Sequence, residues 1–462
     1  MQGSILYRPQ PEPAHLRRLE GAEKAALTVA PIAAIAASAV LFPVLGIRGA
    51  AIAAAAAAGL WVFVLTAWRP AVGCVLLVVA VPLTAGLGRG TIVPLLRPGE
   101  TIVLLVVGAL FFRQLATRRN SERSLAPLDL VVAAFVFVVV LVPAAVLLFT
   151  RAPADSGDWL SLVGPVQFLI VYWIYSRAEA DGEEIRWIVK ALLITSVLVG
   201  LIGIVEAADV AGVRSIMDSY YPPPPEVGGG EPVYRARSTL EHFSALGAFA
   251  TMNFILAFAL LTARAPGFRR PWLMAVMLVN LGALVASQTW AAALALPVMC
   301  TLVCWHQRRL PPNLAPLVAI LVVALILQWP AVSARFAQQQ LFQPGQPAIT
   351  LPHTMDFRID LWQRFFIPAL SDEHRIWFGT GTLLPSEIPE SLSNFVDNEF
   401  LRMGFRAGVP GIVMLVAVQV VIFMTAWRAR AATGWAPLLG AVVVASVAGL
   451  LLQTGAPSTM GG

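Results

Sequence analysis

Residues 271–305 read PWLMAVMLVNLGALVASQTWAAALALPVMCTLVCW, an apolar run whose chief polar interruption is SQTW at 287–290. One membrane helix uses about 20 apolar residues, so the run is too long for a single span. The tetrapeptide SQTW is the natural place to turn, which predicts two antiparallel spans at 271–287 and 289–305. Comparable apolar blocks, not amphipathic stripes, recur along the chain. They predict further spans at 26–46, 49–67, 71–88, 100–116, 128–149, 159–176, 187–209, 241–263, 313–330, 409–427 and 435–454. The fold class that follows is all-α, a polytopic membrane protein with about 12–14 transmembrane helices.

Composition agrees. The 462-residue chain is 58% hydrophobic and 13% charged, with a mean hydropathy of +0.76, where a soluble chain carries about a quarter charged residues. The formal charge of +6 sits largely in short loops, with no basic run interleaved with aromatics, which argues against a nucleic-acid partner. Lysine occurs only at Lys24 and Lys190, so nearly all the positive charge is arginine, suited to bidentate contact with phosphate or carboxylate. Cys74, Cys300 and Cys304 lie inside apolar runs, the wrong setting for a disulfide framework or a cysteine metal site. The polar N-terminus MQGSILYRPQPEPAHLRRLEGAEK reads as a cytoplasmic tail. With that end inside, the inside loops hold Arg17, Arg18, Lys24, Arg69, Arg113, Arg118, Arg119, Arg123, Arg177, Arg186, Arg264, Arg269, Arg270, Arg308, Arg309, Arg428 and Arg430, as the positive-inside rule requires. The expected organisation is a tail at 1–25, a helix bundle at 26–330, an extracytoplasmic loop with short helices at 331–408 and terminal spans at 409–462.

Several charges stand where topology does not ask for them. GLGRGTIVPLLRPGE, 86–100, puts Arg89 and Arg97 in a tight outside turn beside Glu100, either as an anion site or as interfacial snorkelling. YRARSTLEHFSALG, 234–247, brings Arg235, Arg237, Glu241 and His242 to the mouth of a span. Ser238 or Thr239 is the expected cap, with Glu241 or His242 in the first turn. Arginines at a helix N-terminus oppose its dipole unless an anion lies between them. MDFRIDLWQRF, 355–365, reads as an amphipathic helix with Arg358, Trp362 and Phe365 on one face, and the glycines of IWFGTGTL, 376–383, read as a turn. In SNFVDNEFLRMGFRAGVPG, 393–411, Asn398, Arg402 and Arg406 fall at i, i+4 and i+8 of a helix, and Glu399 is three residues from Arg402. A solvated, salt-bridged helix end would look the same.

The order of FRIDLW, WFGTG, VDNEFL and GFRAGVPG before a final pair of spans resembles the O-antigen ligase/polymerase superfamily. Its ligases attach, and its Wzy-type polymerases extend, glycans carried on undecaprenyl pyrophosphate. In that family the corresponding segment reads H-N-x-Y/F-L followed by E-x-G-x-x-G. Likewise RARSTLEHFSALG is similar to the family's R-x-x-G-T-x-x-H-P-N-x-L-G, and PLTAGLGRG…LRPGE to its first outside loop. Two departures stand out: Asp397 occupies the position of the ligase histidine, and SQTW replaces an S-R-G turn. The missing histidine favours a polymerase of exopolysaccharide or O-antigen type over a ligase acting on lipid A-core.

The resemblance implies a GT-C-like glycosyltransferase with a large extracytoplasmic loop, working without cofactor or metal in the bacterial cytoplasmic membrane. It also implies a lipid-linked oligosaccharide donor and, as a partner, a chain-length regulator protein. The diphosphate already leaves well, so the protein must stabilise charge and activate the acceptor. Arg89, Arg97, Arg235, Arg237, Arg358, Arg402 and Arg406 are the candidates for the pyrophosphate. Asp397 is the first candidate base and Glu399 the second, with Glu241, His242, Asn398 and Trp362 as acceptor or supporting residues. A lipid or sugar transporter is the alternative from another class, but transporters place key polar groups near mid-membrane, whereas these cluster at one face.

Overall fold

In the computed structural model the described residues are 56–88, 96–117, 126–150, 158–159, 162–220, 234–311, 333, 359–371, 373–381 and 398–455. The spans expected at 26–46 and 313–330, and the candidates Arg89, Arg358 and Asp397, lie outside them. The described chain is a helical bundle. Its helices are α1 (Ala56–Trp68), α2 (Pro70–Thr84), α3 (Pro98–Thr117), α4 (Pro127–Thr150), α5 (Val163–Arg177), α6 (Gly182–Ala207), α7 (Val213–Tyr220), α8 (Phe243–Ala263), α9 (Arg270–Ser287), α10 (Trp290–Gln307), α11 (Glu373–Phe378), α12 (Glu399–Arg428) and α13 (Ala436–Gly455). Eight of these are long and apolar enough to cross a membrane, with α1 and α2 shorter apolar helices.

The run at 271–305 does break at SQTW: α9 ends at Ser287, Gln288 takes a left-handed conformation, and α10 begins at Trp290. The centre of the bundle is α8, 72% of whose apolar window is buried, against less than half for every other span. It packs against α6, α9, α10 and α13. Close approach there depends on Gly247, since a Cβ would stand 2.5 Å from the Thr289 side chain; small residues let membrane helices meet at backbone distance. Asn280 of α9 donates to Ser196 Oγ of α6 at 3.1 Å and to its own helix at Val276 O, giving the α6–α9 contact a polar tie within the apolar core.

Two ends of the bundle differ in chemistry. At one, Arg69 pairs with Glu184 at 3.1 Å and Trp435 Nε1 donates to Gly182 O. Asp181 and Glu184 form a reciprocal capping box that starts α6 there, satisfying N–H groups that the helix cannot. Nearly all the loops at this end carry arginine. The other end gathers residues 85–88 and 96–97 between α2 and α3, residues 208–212 after α6, residues 234–242, the α9–α10 turn and the start of α12.

Against the expected span at 409–427, α12 begins ten residues earlier, at Glu399, and kinks at Ala407–Gly408. Gly408 has φ 61 and ψ −153, backbone that essentially only glycine adopts. The WFGTG turn fits into that kink. Thr380 N and Oγ donate to Phe405 O at 2.7 and 3.0 Å, and a Cβ on Gly408 would stand 2.5 Å from the Trp377 carbonyl carbon. Gly379 makes the reciprocal close approach, 2.5 Å from Phe405 O. Two motifs separate in sequence are thus one clasp. Of the segment expected as a helix at 355–365, the described part, from residue 359, is helical, with Leu361 and Phe366 buried, a π-turn at Trp362–Phe366 and Phe366 edge-on to Phe405 at 5.9 Å.

Candidate functional site

Residues 234–242 are held at the mouth of α8 by a carboxylate that sequence reasoning passed over. Glu206, in the last turn of α6, is 0% exposed. It accepts from Tyr234 Oη at 2.8 Å, from Ser238 N at 2.6 Å and from Arg237 N at 3.1 and 3.2 Å. Burial and the Glu206 carboxylate push the Tyr234 hydroxyl up to about 12, so it stays protonated and donates. An ionisable residue inside an apolar span is itself a signal of function, and that signal was legible at position 206.

The arginines of this segment are engaged. Arg237 is 3% exposed and its guanidinium pairs with Asp218 of α7. Arg235 donates to the carbonyls of Ser287 and Gln288, each at 3.3 Å, and lies 3.3 Å above the Phe243 ring. The SQTW turn is therefore gripped by Arg235 from a neighbouring loop. The Gln288 side chain returns a bond to Tyr234 O at 3.5 Å. Arg214 stacks over Tyr234 at 3.9 Å.

Neither Ser238 nor Thr239 caps α8. Ser238–Leu240 is a 3₁₀ turn whose hydroxyls are spent elsewhere, Ser238 Oγ on Val199 O and Thr239 Oγ1 on Pro82 O. His242 is the cap, its Nδ1 accepting from Ser244 N. Burial, then the Arg235 charge, holds this imidazole below its ordinary range, with Glu241 opposing; it is neutral, as an accepting Nδ1 requires. Ser238 and Glu241 both have positive φ, 53 and 69, uncommon for side-chain-bearing residues and sustained here by the contacts to Glu206, Val199 and Pro82. Glu241 reaches across to Arg97 at 3.1 Å, and Gly86 N donates to Thr239 O. Two segments picked out separately, 86–100 and 234–247, thus meet.

A second group stands at the start of α12. Asn398 is its cap, not a member of the helix, accepting from Phe400 N and Leu401 N at 2.9 and 3.3 Å. Glu399 in the first turn pairs with Arg402 at 3.2 Å, as its spacing and the helix dipole favour. One turn deeper, Arg406 is 7% exposed beside the glycine clasp. Trp362 packs with Leu361, Phe366 and Phe405 beneath this group. The carboxylates at 206, 218 and 241 answer the question that the arginines posed for the dipole of α8: the counter-charges the structure places around it belong to the protein itself.

Eight helices long and apolar enough to cross a membrane define a multi-pass membrane protein, and at one end of its bundle arginines, carboxylates and His242 lie in mutual contact. Residues 272–416, about a third of the chain, match the family model described as O-antigen ligase (Wzy_C), a match that supports the resemblance to the O-antigen ligase/polymerase superfamily. The matched region holds Trp362, Asn398, Glu399, Arg402 and Arg406; the 234–242 segment and Arg97 precede it. No curated protein matches the chain.

Proposed function

We propose that the protein is a GT-C-type polymerase joining undecaprenyl-pyrophosphate-linked repeat units at the outer face of the bacterial inner membrane. The observation that carries this is the meeting of Arg97–Glu241 with the strained 235–242 segment, in a chain whose 272–416 region matches O-antigen ligase. Strain of this kind persists only where surrounding contacts over-determine it, and it gathers at functional sites.

In the proposed reaction, an acceptor hydroxyl oxygen attacks the anomeric carbon of the lipid-linked donor. The bond from that carbon to the pyrophosphate oxygen breaks, and the configuration inverts. The hydroxyl proton passes to Asp397, the residue preceding the Asn398 cap in the sequence. The Glu399–Arg402 pair commits Glu399 to charge balance and leaves Asp397 the better base. The departing pyrophosphate gains negative charge that Arg89, Arg97, Arg235, Arg358, Arg402 and Arg406 stabilise. Arg237, buried against Asp218, instead holds the frame in which Arg235 and His242 sit. Glu241 and His242 lie beside the acceptor, with His242 neutral.

A ligase is the second reading, favoured by the description of the matched family. The test is the purified protein in vesicles with an undecaprenyl-pyrophosphate oligosaccharide. Growth of the glycan supports a polymerase, transfer only to a lipid A-core acceptor supports a ligase, and an unconsumed donor under both conditions overturns the enzyme. Asp397→Asn is expected to abolish transfer with the fold intact; polymer of normal length from that variant removes Asp397 from the mechanism.

A further inference from the structure

The opposite, arginine-rich end of the bundle holds a cavity of about 960 Å³ that the proposed chemistry does not use. Four arginines line it, Arg308 and Arg309 after α10 and Arg428 and Arg430 after α12, while no carboxylate lines it among the described residues. Helix ends account for part of this charge. The cavity lies at the C-termini of α8, α10 and α12 and at the N-terminus of α13. At roughly half a charge per helix end, these sum to about −1. Against four guanidinium groups this leaves an excess of about +3 around a half-open cavity. The positive-inside rule explains the sign of these residues but not a cavity between them.

Apolar helix surface adjoins the cavity. Both α10 and α12 pack on α13, and they meet through Trp305 and Trp427, whose rings are 5.0 Å apart. Arg430 lies over Trp427 at 5.5 Å. Leu294, Val298 and Trp305 of α10 share one exposed face, as do Val420 and Met424 of α12. A compact anion alone would use the arginines and leave these apolar faces uncovered. A ligand with a phosphodiester head and acyl chains uses both.

We propose that this cavity binds the headgroup of an anionic phospholipid, with its phosphodiester among Arg308, Arg309, Arg428 and Arg430 and its chains along α10 and α12. Basic pockets between membrane helices recognise such headgroups, and tryptophan favours the same interfacial depth. The site stands at the other end of the bundle from the residues proposed for glycosyl transfer and does not depend on that assignment.

Native mass spectrometry of the purified full chain tests it, titrating phosphatidylglycerol, phosphatidylcholine or inorganic phosphate. Phosphatidylglycerol is expected to be retained at least tenfold better than phosphatidylcholine. Arg308→Gln with Arg430→Gln should weaken that retention about fivefold per arginine. Arg113→Gln with Arg177→Gln removes the same charge elsewhere at this end and should leave retention unchanged. Arg308→Lys with Arg430→Lys keeps the charge that directs topology and, lacking the planar fork, should show an intermediate loss. Equal retention of the two lipids, equal weakening by the control pair, or full displacement by inorganic phosphate at lipid-equivalent concentration would each overturn the proposal.

Discussion

Replacing Glu206 by alanine removes the one carboxylate on which residues 234–238 converge. Three neighbours lose their acceptor: the Tyr234 hydroxyl and the backbone N–H groups of Arg237 and Ser238. A hydrogen bond to a charged acceptor contributes about 1.5–3 kcal/mol, but three on one group do not add. Leaving a buried donor unsatisfied costs about 1–3 kcal/mol, and with three donors losing one shared acceptor the expected loss is about 3 kcal/mol. That is a large share of a typical folding stability of roughly 5–15 kcal/mol. Glutamine keeps one acceptor oxygen for the two N–H groups, and the Tyr234 hydroxyl can turn to accept from its amide, so Glu206→Gln should cost only about 1 kcal/mol. The assay is unfolding in mixed detergent and dodecyl sulfate, followed by tryptophan fluorescence and paired with glycan transfer. Alanine within about 0.5 kcal/mol of the parent would refute the scaffold role, given the usual size of a surface substitution. Glutamine as damaging as alanine would show that the charge, not its hydrogen bonds, is what the segment needs.

Three further outcomes are expected. Arg97 and Glu241 are 42% and 51% exposed, so a double-mutant cycle on stability should return a coupling of only about 0.2–1 kcal/mol, while transfer falls further than this if they serve the donor site; unchanged transfer in both single variants would dissociate the pair from it. Gly408→Ala should destabilise by about 1–3 kcal/mol from backbone strain alone, and more because the new methyl meets Trp377; a melting temperature equal to the parent's would contradict the clasp. The His242 imidazole is held below its unfolded value of 6.5, so below that pH the unfolded chain binds the extra proton. Its contribution to stability is therefore present above pH 6.5 and declines as pH falls through the window between 6.5 and the depressed folded value. His242→Asn, which can still cap α8, should flatten that acid-side slope in a melting-temperature series.

Much of the architecture is written locally. The apolar blocks, the break at SQTW, the capping box at Asp181 and the glycine turn at 379–381 depend on residues close in sequence, and hydrocarbon enforces them because helices are the one way a single segment satisfies its own backbone. The candidate residues could likewise be picked by type and position. What local pattern could not decide is which groups answer which. Ser238 and Thr239 have the chemistry of caps, yet they bind carbonyls of α6 and α2, so His242 takes that place. Arg235 and Arg237, alike on paper, divide between the SQTW turn and Asp218. Glu206, twenty-eight residues before Tyr234, becomes the organising carboxylate only because α6 ends beside the mouth of α8. Sequence alone determined that this is an all-helical membrane chain and carried its resemblance to the O-antigen ligase family. Tertiary structure alone decided their partners, because hydrogen bonds and ion pairs act over a few ångströms and the residues they join lie far apart along the chain.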